Sequence, residues 1–300
     1  MASLFDVLTR KNSPTRRVAG AVRRAWHSLT YKRRFLAAFA ANGLRAETVL
    51  FYPDRPREWG YMHYKVCHQL GLRMTNDPKA DMVLTFRFED ETWKHNDARL
   101  AEWMRSGRRV INGRCTDVSK RAVDTAFARV FGYSISVDPG THAGPYVRKS
   151  DLNATHDGVV LEAPAEPEEG FVYQKLIDNR SGEDRFADLR VIVCADTIPF
   201  VYHYYRFLSA RFTNNISAVE LKETGEVLSD GEVAGLLRLC REMGVDLGAL
   251  DVLRDRVDGR IYVVDVNDTA KGPPITLGGE YHDEALRRLA AVFKAGFLET

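Results

Sequence analysis

Asp251, Asp265 and Asn267 are the residues whose types and spacing best suit chemistry. They lie in two apolar-rich runs, Leu250-Asp251-Val252-Leu253 and Tyr262-Val263-Val264-Asp265-Val266-Asn267, joined by residues 254–260 with an Asp258-Gly259 turn signal. That pattern reads as an antiparallel hairpin. Side chains alternate faces along a strand, so Asp265 and Asn267 share one face, with Asp251 across the hairpin from them. Two carboxylates and an amide offer hard oxygen ligands, which suit magnesium better than a softer metal. The same residues could also be the solvent face of an edge hairpin, so the elements upstream decide their weight.

Those elements supply positive charge. Residues 186–193 read as a strand with Asp188 and Arg190 on one face and Val191 and Val193 on the other. A strand over 200–206 ends at Arg206, and the loop after it holds Arg211, Phe212, Thr213, Asn214 and Asn215. Fixed cations of this kind suit phosphoryl transfer, whose transition state spreads negative charge over several oxygens. Further upstream, Thr116-Asp117-Val118-Ser119 signals the start of a helix containing Lys120, with Gly132 as its stop. Residues 146–149 read as a strand ending at Lys149 before a polar loop, and residues 171–178 as a strand leaving a Pro- and Glu-rich loop.

Taken in order over residues 110–275, these segments resemble the ATP-grasp superfamily, in the branch of ribosomal-protein glutamate ligases, glutathione synthetases and D-alanine:D-alanine ligases. The resemblance implies an α/β (α+β) fold with a small parallel-sheet preceding domain and two ATP-grasp subdomains. The implied divisions are a basic N-terminal helix over 1–35, a preceding domain over 36–115, a central subdomain over 116–177 and a C-terminal subdomain with the metal hairpin over 178–300. ATP and two Mg2+ ions are implied, the metal held by Asp251, Asp265 and Asn267. Lys120 and Lys149 would meet the phosphates, under a loop with Asn153, Ala154 and Thr155 where glycines often sit and His156 within reach. Gln174 replaces a more usual Glu, Lys175 and Ile177 would offer backbone groups to adenine, and Asp188 would meet the ribose. Arg190 would face the γ-phosphate, with Arg206 and Arg211 as further anion clamps. The implied activity joins a carboxylate to an amine through an acylphosphate, on a small-molecule or peptide acceptor. The same site would also serve a kinase acting on a hydroxyl, or a nucleotide-binding module without catalysis.

Composition fits an enzyme of two or three small domains, since 300 residues at 45% hydrophobic content can bury more than one core. No apolar run is long enough to span a bilayer and no signal core is evident, so a cytoplasmic protein is expected. Cys67, Cys115, Cys194 and Cys240 are scattered and read as reduced, buried thiols. A net charge of +2 implies no nucleic-acid partner for the whole chain.

The basic residues are uneven, however: Arg10, Lys11, Arg16, Arg17, Arg23, Arg24, Lys32, Arg33 and Arg34 interleave with Val18, Val22, Trp26 and Leu29. This is a basic amphipathic helix, which either packs by its apolar stripe or meets an anionic partner: a membrane surface, RNA or an acidic carrier protein. Beyond it, strands over 48–52, 82–86 and 109–112 alternate with helices over 61–70 and 99–105, which predicts a parallel sheet of three or four strands. Arg55, Arg57, His63 and Arg87 near its strand ends are candidates for contacts to an acidic acceptor. A helix ending at Met243, a turn over 244–248, Lys271 near the metal and a closing helix over 281–297 complete the chain.

Overall fold

The computed structural model describes residues 14–56, 60–89, 94, 97–152, 155, 157–162, 164–211 and 215–299, with the side chains of 14–24, 27 and 210 excepted. Arg10, Lys11, Ser13, Arg57, Asn153, Ala154, His156, Phe212, Thr213 and Asn214 lie outside the described residues, as do the side chains of Arg16, Arg17, Val18, Val22, Arg23 and Arg24. Helix α1 (Pro14–Ala41) starts on a proline, whose fixed φ suits a first helical position. It runs past the expected end at residue 35, because Phe35 and Phe39 stack at 6.0 Å along its buried side. Trp26, Leu29 and Leu36 stay exposed, so packing covers only part of its apolar surface.

The preceding domain is the expected parallel sheet. Strands β1 (Thr48–Pro53), β2 (Arg73–Thr75), β3 (Leu84–Phe88) and β4 (Val110–Ile111) run in the order β2-β1-β3-β4. Helices α2 (Met62–Leu70) and α3 (Ala98–Arg105) make the crossovers. The short β2 was invisible in the sequence. Helix α2 stops at Gly71, whose φ of 70° and the Phe39 nitrogen 3.1 Å from an added Cβ leave room only for glycine.

Helix α4 (Lys120–Phe131) begins at Ser119, whose hydroxyl accepts from the Ala122 amide at 3.4 Å, and stops at a left-handed Gly132, as expected. A three-stranded antiparallel sheet follows, with β5 (Pro145–Ser150) between β6 (Val159–Glu162) and β7 (Phe171–Lys175). The largest sheet orders β11 (Ala218–Lys222), β10 (Val201–Phe207), β9 (Arg185–Cys194), β12 (Leu247–Arg254) and β13 (Ile261–Asn267), with β8 (Arg180–Ser181) on β9. Short α5 (Thr224–Val227) and α6 (Asp230–Met243) lead to β12, and α7 (Gly279–Phe297) ends the described fold. The turn before β12 is at Gly244, with φ of 72°, so Leu247 and Gly248 already belong to the strand.

Two cores flank the large sheet, and alternation decides which residue enters which. On β9, Ile192 and Cys194 face the first core, while Leu189, Val191 and Val193 face the second, under α4 and α6. The first core also holds Phe51, Phe86, Leu286, Leu289 and Phe293, so α7 does more than close the C-terminal subdomain: it welds the parallel sheet to the large one. All four cysteines are buried and free, and among the described residues no helix is long and apolar enough to cross a membrane.

A buried polar knot pins the same junction. Arg87 pairs with Asp268 and donates from Nε to the Asn112 carbonyl at 2.9 Å. Asn112, held at a φ of 57°, accepts on Oδ1 from the Asp246 and Leu247 amides at 2.8 and 3.0 Å, and donates from Nδ2 to the Leu247 and Asp268 carbonyls at 2.8 and 3.0 Å. Arg87 is therefore structural and cannot meet an acceptor. His63 is likewise buried, edge-on to Phe51, Phe86 and Phe88, with neither ring nitrogen hydrogen-bonded. Arg55 stays at the surface, reaching the Met74 carbonyl at 3.5 Å.

Arg87→Met should cost about 3–5 kcal/mol in urea unfolding, because the Asp268 carboxylate is left buried without its cation. Adding Asp268→Leu should recover much of that loss, and equal losses in the single and double variants would mean the pair is not the cause. His63 yields an acid-stability signature. Its burial lowers the pKa from 6.5 to about 3, so between those values the folded chain binds fewer protons than the unfolded one. The stability carried by neutral His63 is complete above pH 6.5 and falls with pH, by about 2 kcal/mol at pH 5. Unfolding His63→Phe at pH 5 and pH 8 should show that share of the acid loss removed; an unchanged difference would refute the assignment.

Candidate functional site

Register builds the centre of the site. Asp251 on β12 stands directly opposite Asp265 on β13 and, on its other side, opposite Arg190 on β9. Opposed residues of antiparallel neighbours share a face, so Arg190, Asp251 and Asp265 form one row across three strands. Asn267 lies two residues on, opposite Ala249. The expected hairpin is present, with a β-bulge that the sequence did not signal. Val252 pairs with Val263, so Val264 is the extra residue. It shifts the alternation so that Val263 enters the second core while Asp265 turns to the opposite face.

The Asp251 carboxylate is already engaged: Arg190 Nη1 donates to Oδ1 at 2.7 Å and to Oδ2 at 3.1 Å, and Asn267 Nδ2 lies 3.4 Å from Oδ2. Burial and then the Asp251 charge hold the Asp265 pKa well above the usual carboxylate range, against Lys120, Arg190 and Lys149, which pull it down. Lys149 on β5 is lowered to about 8, by burial first and by Lys120 second. Carboxylates from the large sheet thus face Lys149 of the three-stranded sheet and Lys120 of α4 across a gap. That gap is a cavity of about 950 Å³, lined by Lys120, Lys149, Gln174, Lys175, Ile177, Asp188, Arg190, Arg206, Arg211, Asp251, Asp265 and Asn267, whereas Arg55, His63 and Arg87 stand outside its lining.

Several of these groups already have partners within the chain. Lys120 Nζ donates to the Leu152 carbonyl at 2.5 Å, which ties it to the loop after β5. Lys175 spends its side chain on Asp255 at 2.7 Å and Asp258 at 2.9 Å, and its backbone N–H on the Ile135 carbonyl at 2.7 Å. The Ile177 carbonyl accepts from Arg211 at 2.5 Å. The Lys175 N–H and the Ile177 carbonyl are therefore occupied, and an adenine would have to use the other backbone groups of these two residues. Gln174 is buried with Oε1 lacking a partner, an orphaned acceptor in the wall of the cavity. Asp188 pairs with Arg206 and accepts from Asn179 Nδ2 at 2.7 Å. Arg211 lies 4.4 Å over the Phe186 ring. Arg206 and Arg211 are thus held in place by Asp188, Phe186 and Ile177.

Sequence reasoning missed Asn179 and Tyr204, which also line the cavity. Tyr204 could have been found, since strand alternation sets it on the face of Arg206. It also missed the cavity's apolar part, Ile135, Val147, Leu253 and Val264, alongside the expected Ile177. Two carboxylates and an amide fit magnesium, which keeps waters and takes phosphate oxygens for its remaining positions. The upward shift of Asp265 fits too, because a cation beside it relieves the repulsion from Asp251. Among the described residues no three His, Cys, Asp or Glu side chains gather into a metal cluster, so a divalent ion here would rely on that mixed set.

No family model and no curated protein matches the sequence. Solved structures match the fold. The ATP-grasp ligase PsnB, complexed with precursor peptide PsnA2 and AMPPNP, superposes with a TM-score of 0.52 and 15% identity over 83% of this chain and 97% of that one. PsnB with a minimal precursor, Mg and ADP gives 0.51 and 14%, over 83% and 98%. The chain has the ATP-grasp fold, as the order of its motifs led us to expect.

Asp265→Asn removes one of two facing carboxylates and should raise metal-free stability by about 1 kcal/mol. It should also abolish stabilisation by Mg2+, both read from melting curves with and without the ion. A lower metal-free melting point would show that the Asp251–Asp265 repulsion is not what governs this pair.

Proposed function

We propose that this chain is an ATP- and Mg2+-dependent ligase that joins a carboxylate to an amine through an acylphosphate. The observation that carries the reading is the meeting, in one cavity of an ATP-grasp fold, of a hard-oxygen set with five cations drawn from separate elements: Lys120, Lys149, Arg190, Arg206 and Arg211. That many cations around a space of about 950 Å³ suits a polyphosphate. Lys120 and Lys149 hold its phosphates, Asp188 meets the ribose, and Ile135, Val147, Ile177 and Leu253 give the base an apolar bed beside Gln174. Two magnesium ions at Asp251, Asp265 and Asn267 supply charge neutralisation for the phosphoryl group.

A substrate carboxylate oxygen attacks the γ-phosphorus and ADP leaves; the amine nitrogen then attacks the acyl carbon and inorganic phosphate leaves. Arg190, Arg206 and Arg211 stabilise the charge that gathers in each step, and none serves as a covalent nucleophile. Because Asp251, Asp188 and the Ile177 carbonyl hold these arginines, their positioning is complete before substrate arrives. PsnB carries a precursor peptide in its solved complex, and a peptide acceptor is part of the present reading. So are a cytoplasmic setting, where ATP is at hand, and an anionic partner for α1, whose exposed Trp26 and Leu29 lie beside Lys32 and Arg33.

AMPPNP with Mg2+ should raise the melting temperature of the wild type, and much less that of Lys149→Ala or Asp265→Ala. ADP release should then require a carboxylate and an amine together. Failure of AMPPNP to stabilise the wild type would refute the nucleotide site, and a stable phosphorylated hydroxyl product would make the enzyme a kinase.

A further inference from the structure

Among the described residues, helix α1 has two apolar sides, and the fold packs one of them. At about 100° per residue, Tyr31, Phe35 and Phe39 share a side, which rests on Tyr64 and His68 of α2. Arg34 fixes the helix there through Asp283 and through Gln69 Oε1 at 2.9 Å. Trp26, Leu29, Leu36, Ala37 and Ala40 recur along the other side over about 20 Å of helix, and all are exposed. Trp26, Leu29 and Leu36 are 65%, 45% and 60% exposed, and Leu44, just past the helix end, is 68% exposed. Single large apolar side chains on a surface are ordinary, but three at helical spacing along one side make a patch.

Charge says what covers it. Of the 43 Lys and Arg in the chain, ten lie in residues 7–46, where no Asp or Glu occurs, and the rest are outnumbered by 41 Asp and Glu. Lys32 and Arg33 stand exposed within or beside the stripe. Two copies of the stripe laid face to face would set these cations against each other without a carboxylate on the stripe to pair with. The covering partner is therefore anionic, and apolar where Trp26, Leu29 and Leu36 reach.

We infer that this side of α1 lies on the surface of an anionic lipid bilayer, with Trp26, Leu29 and Leu36 at the acyl boundary and the basic side chains among the headgroups. The inference rests on the reading that α1 meets an anionic partner, and it names that partner. An RNA would be met by charge and by stacking on Trp26, leaving the leucines in water. An acidic protein would need an apolar groove matched to the stripe and carboxylates matched to single cations. A bilayer interface offers both features over any length. Tryptophan is favoured at that interface, leucine in the boundary below it, and Arg33, between Leu29 and Leu36, reaches headgroup phosphates on its long stem.

The test mixes the full chain with vesicles of phosphatidylcholine alone and of phosphatidylcholine with phosphatidylserine, and separately with poly-glutamate and with a single-stranded RNA, measuring affinity for each. The wild type should bind the mixed vesicles, bind phosphatidylcholine alone about tenfold more weakly, and be released by salt. Trp26→Ser with Leu36→Ser should lower the affinity about tenfold or more, as should Lys32→Glu with Arg33→Glu. Trp26→Phe should bind like the wild type but lose the blue shift in tryptophan emission that vesicles cause. These side chains are exposed, so every variant should fold and keep the melting response to AMPPNP and Mg2+. Absence of binding to the mixed vesicles, equal binding to both vesicle types, or full affinity in the two double variants would overturn the inference. So would tighter binding to poly-glutamate or RNA than to vesicles. Failure of AMPPNP to stabilise the wild type would instead count against the nucleotide site alone, since the vesicle assay needs no nucleotide.

Discussion

Two carboxylates placed directly opposite each other on neighbouring strands repel, and the functional half of this molecule is arranged around that repulsion. Asp251 and Asp265 meet across the β12–β13 hairpin at the edge of a core, where water screens them poorly. Arg190 answers from the next strand, and Lys120 and Lys149 answer from elements of the central subdomain. The gap between the large sheet and the three-stranded sheet is thus an electrostatic arrangement as much as a packing one. Apolar residues at these positions would leave the fold no less stable, so the charges answer to what enters the gap.

That arrangement needs the hairpin end to be fixed, and the fixing comes from the preceding domain. Arg87 and Asn112 grip Asp246, Leu247 and Asp268, which flank β12 at its start and β13 at its end. Asn267 precedes Asp268 directly, so the position of this candidate metal ligand is set by a residue of the parallel sheet. Helix α7 reinforces the same junction through Phe293, stacked on Phe86 at 5.7 Å. The parallel sheet is therefore coupled to the layer that carries Asp251 and Asp265.

Much of this was legible in the sequence because its signals are local. The hairpin announced itself through alternation and an Asp258-Gly259 turn, and α4 through Ser119 and Gly132. What escaped depends on partners distant along the chain. Arg87 at a strand end reads as a ligand contact, yet its partner lies far along the chain at Asp268. Lys175 reads as a purely backbone contact to adenine, but Asp255 and Asp258, supplied by the β12–β13 turn, claim its side chain. The Val264 bulge leaves no mark in composition, because Val263 and Val264 are equally apolar and only the second core distinguishes them. Gly248 looks like a turn residue until the Asn267 carbonyl is seen 2.8 Å from where its Cβ would be, which makes it a strand glycine demanded by close approach.

The site and the first core also share one face of the large sheet, and this fixes where the site's side chains stand. Along β9 that face reads Asp188, Arg190, Ile192, Cys194, and along β10 it reads Tyr202, Tyr204, Arg206. Polar chemistry gives way to packing within two residues on the same strand. Arg190 pairs across the sheet with Tyr202, which is buried in the core, so the guanidinium has an apolar floor beneath it and a carboxylate beside it. A rotation of Arg190 away from Asp251 would expose a charge to that floor, at the desolvation cost that burial imposes. The packing of the first core, which also holds α7 against the parallel sheet, is therefore what keeps the cation row in register.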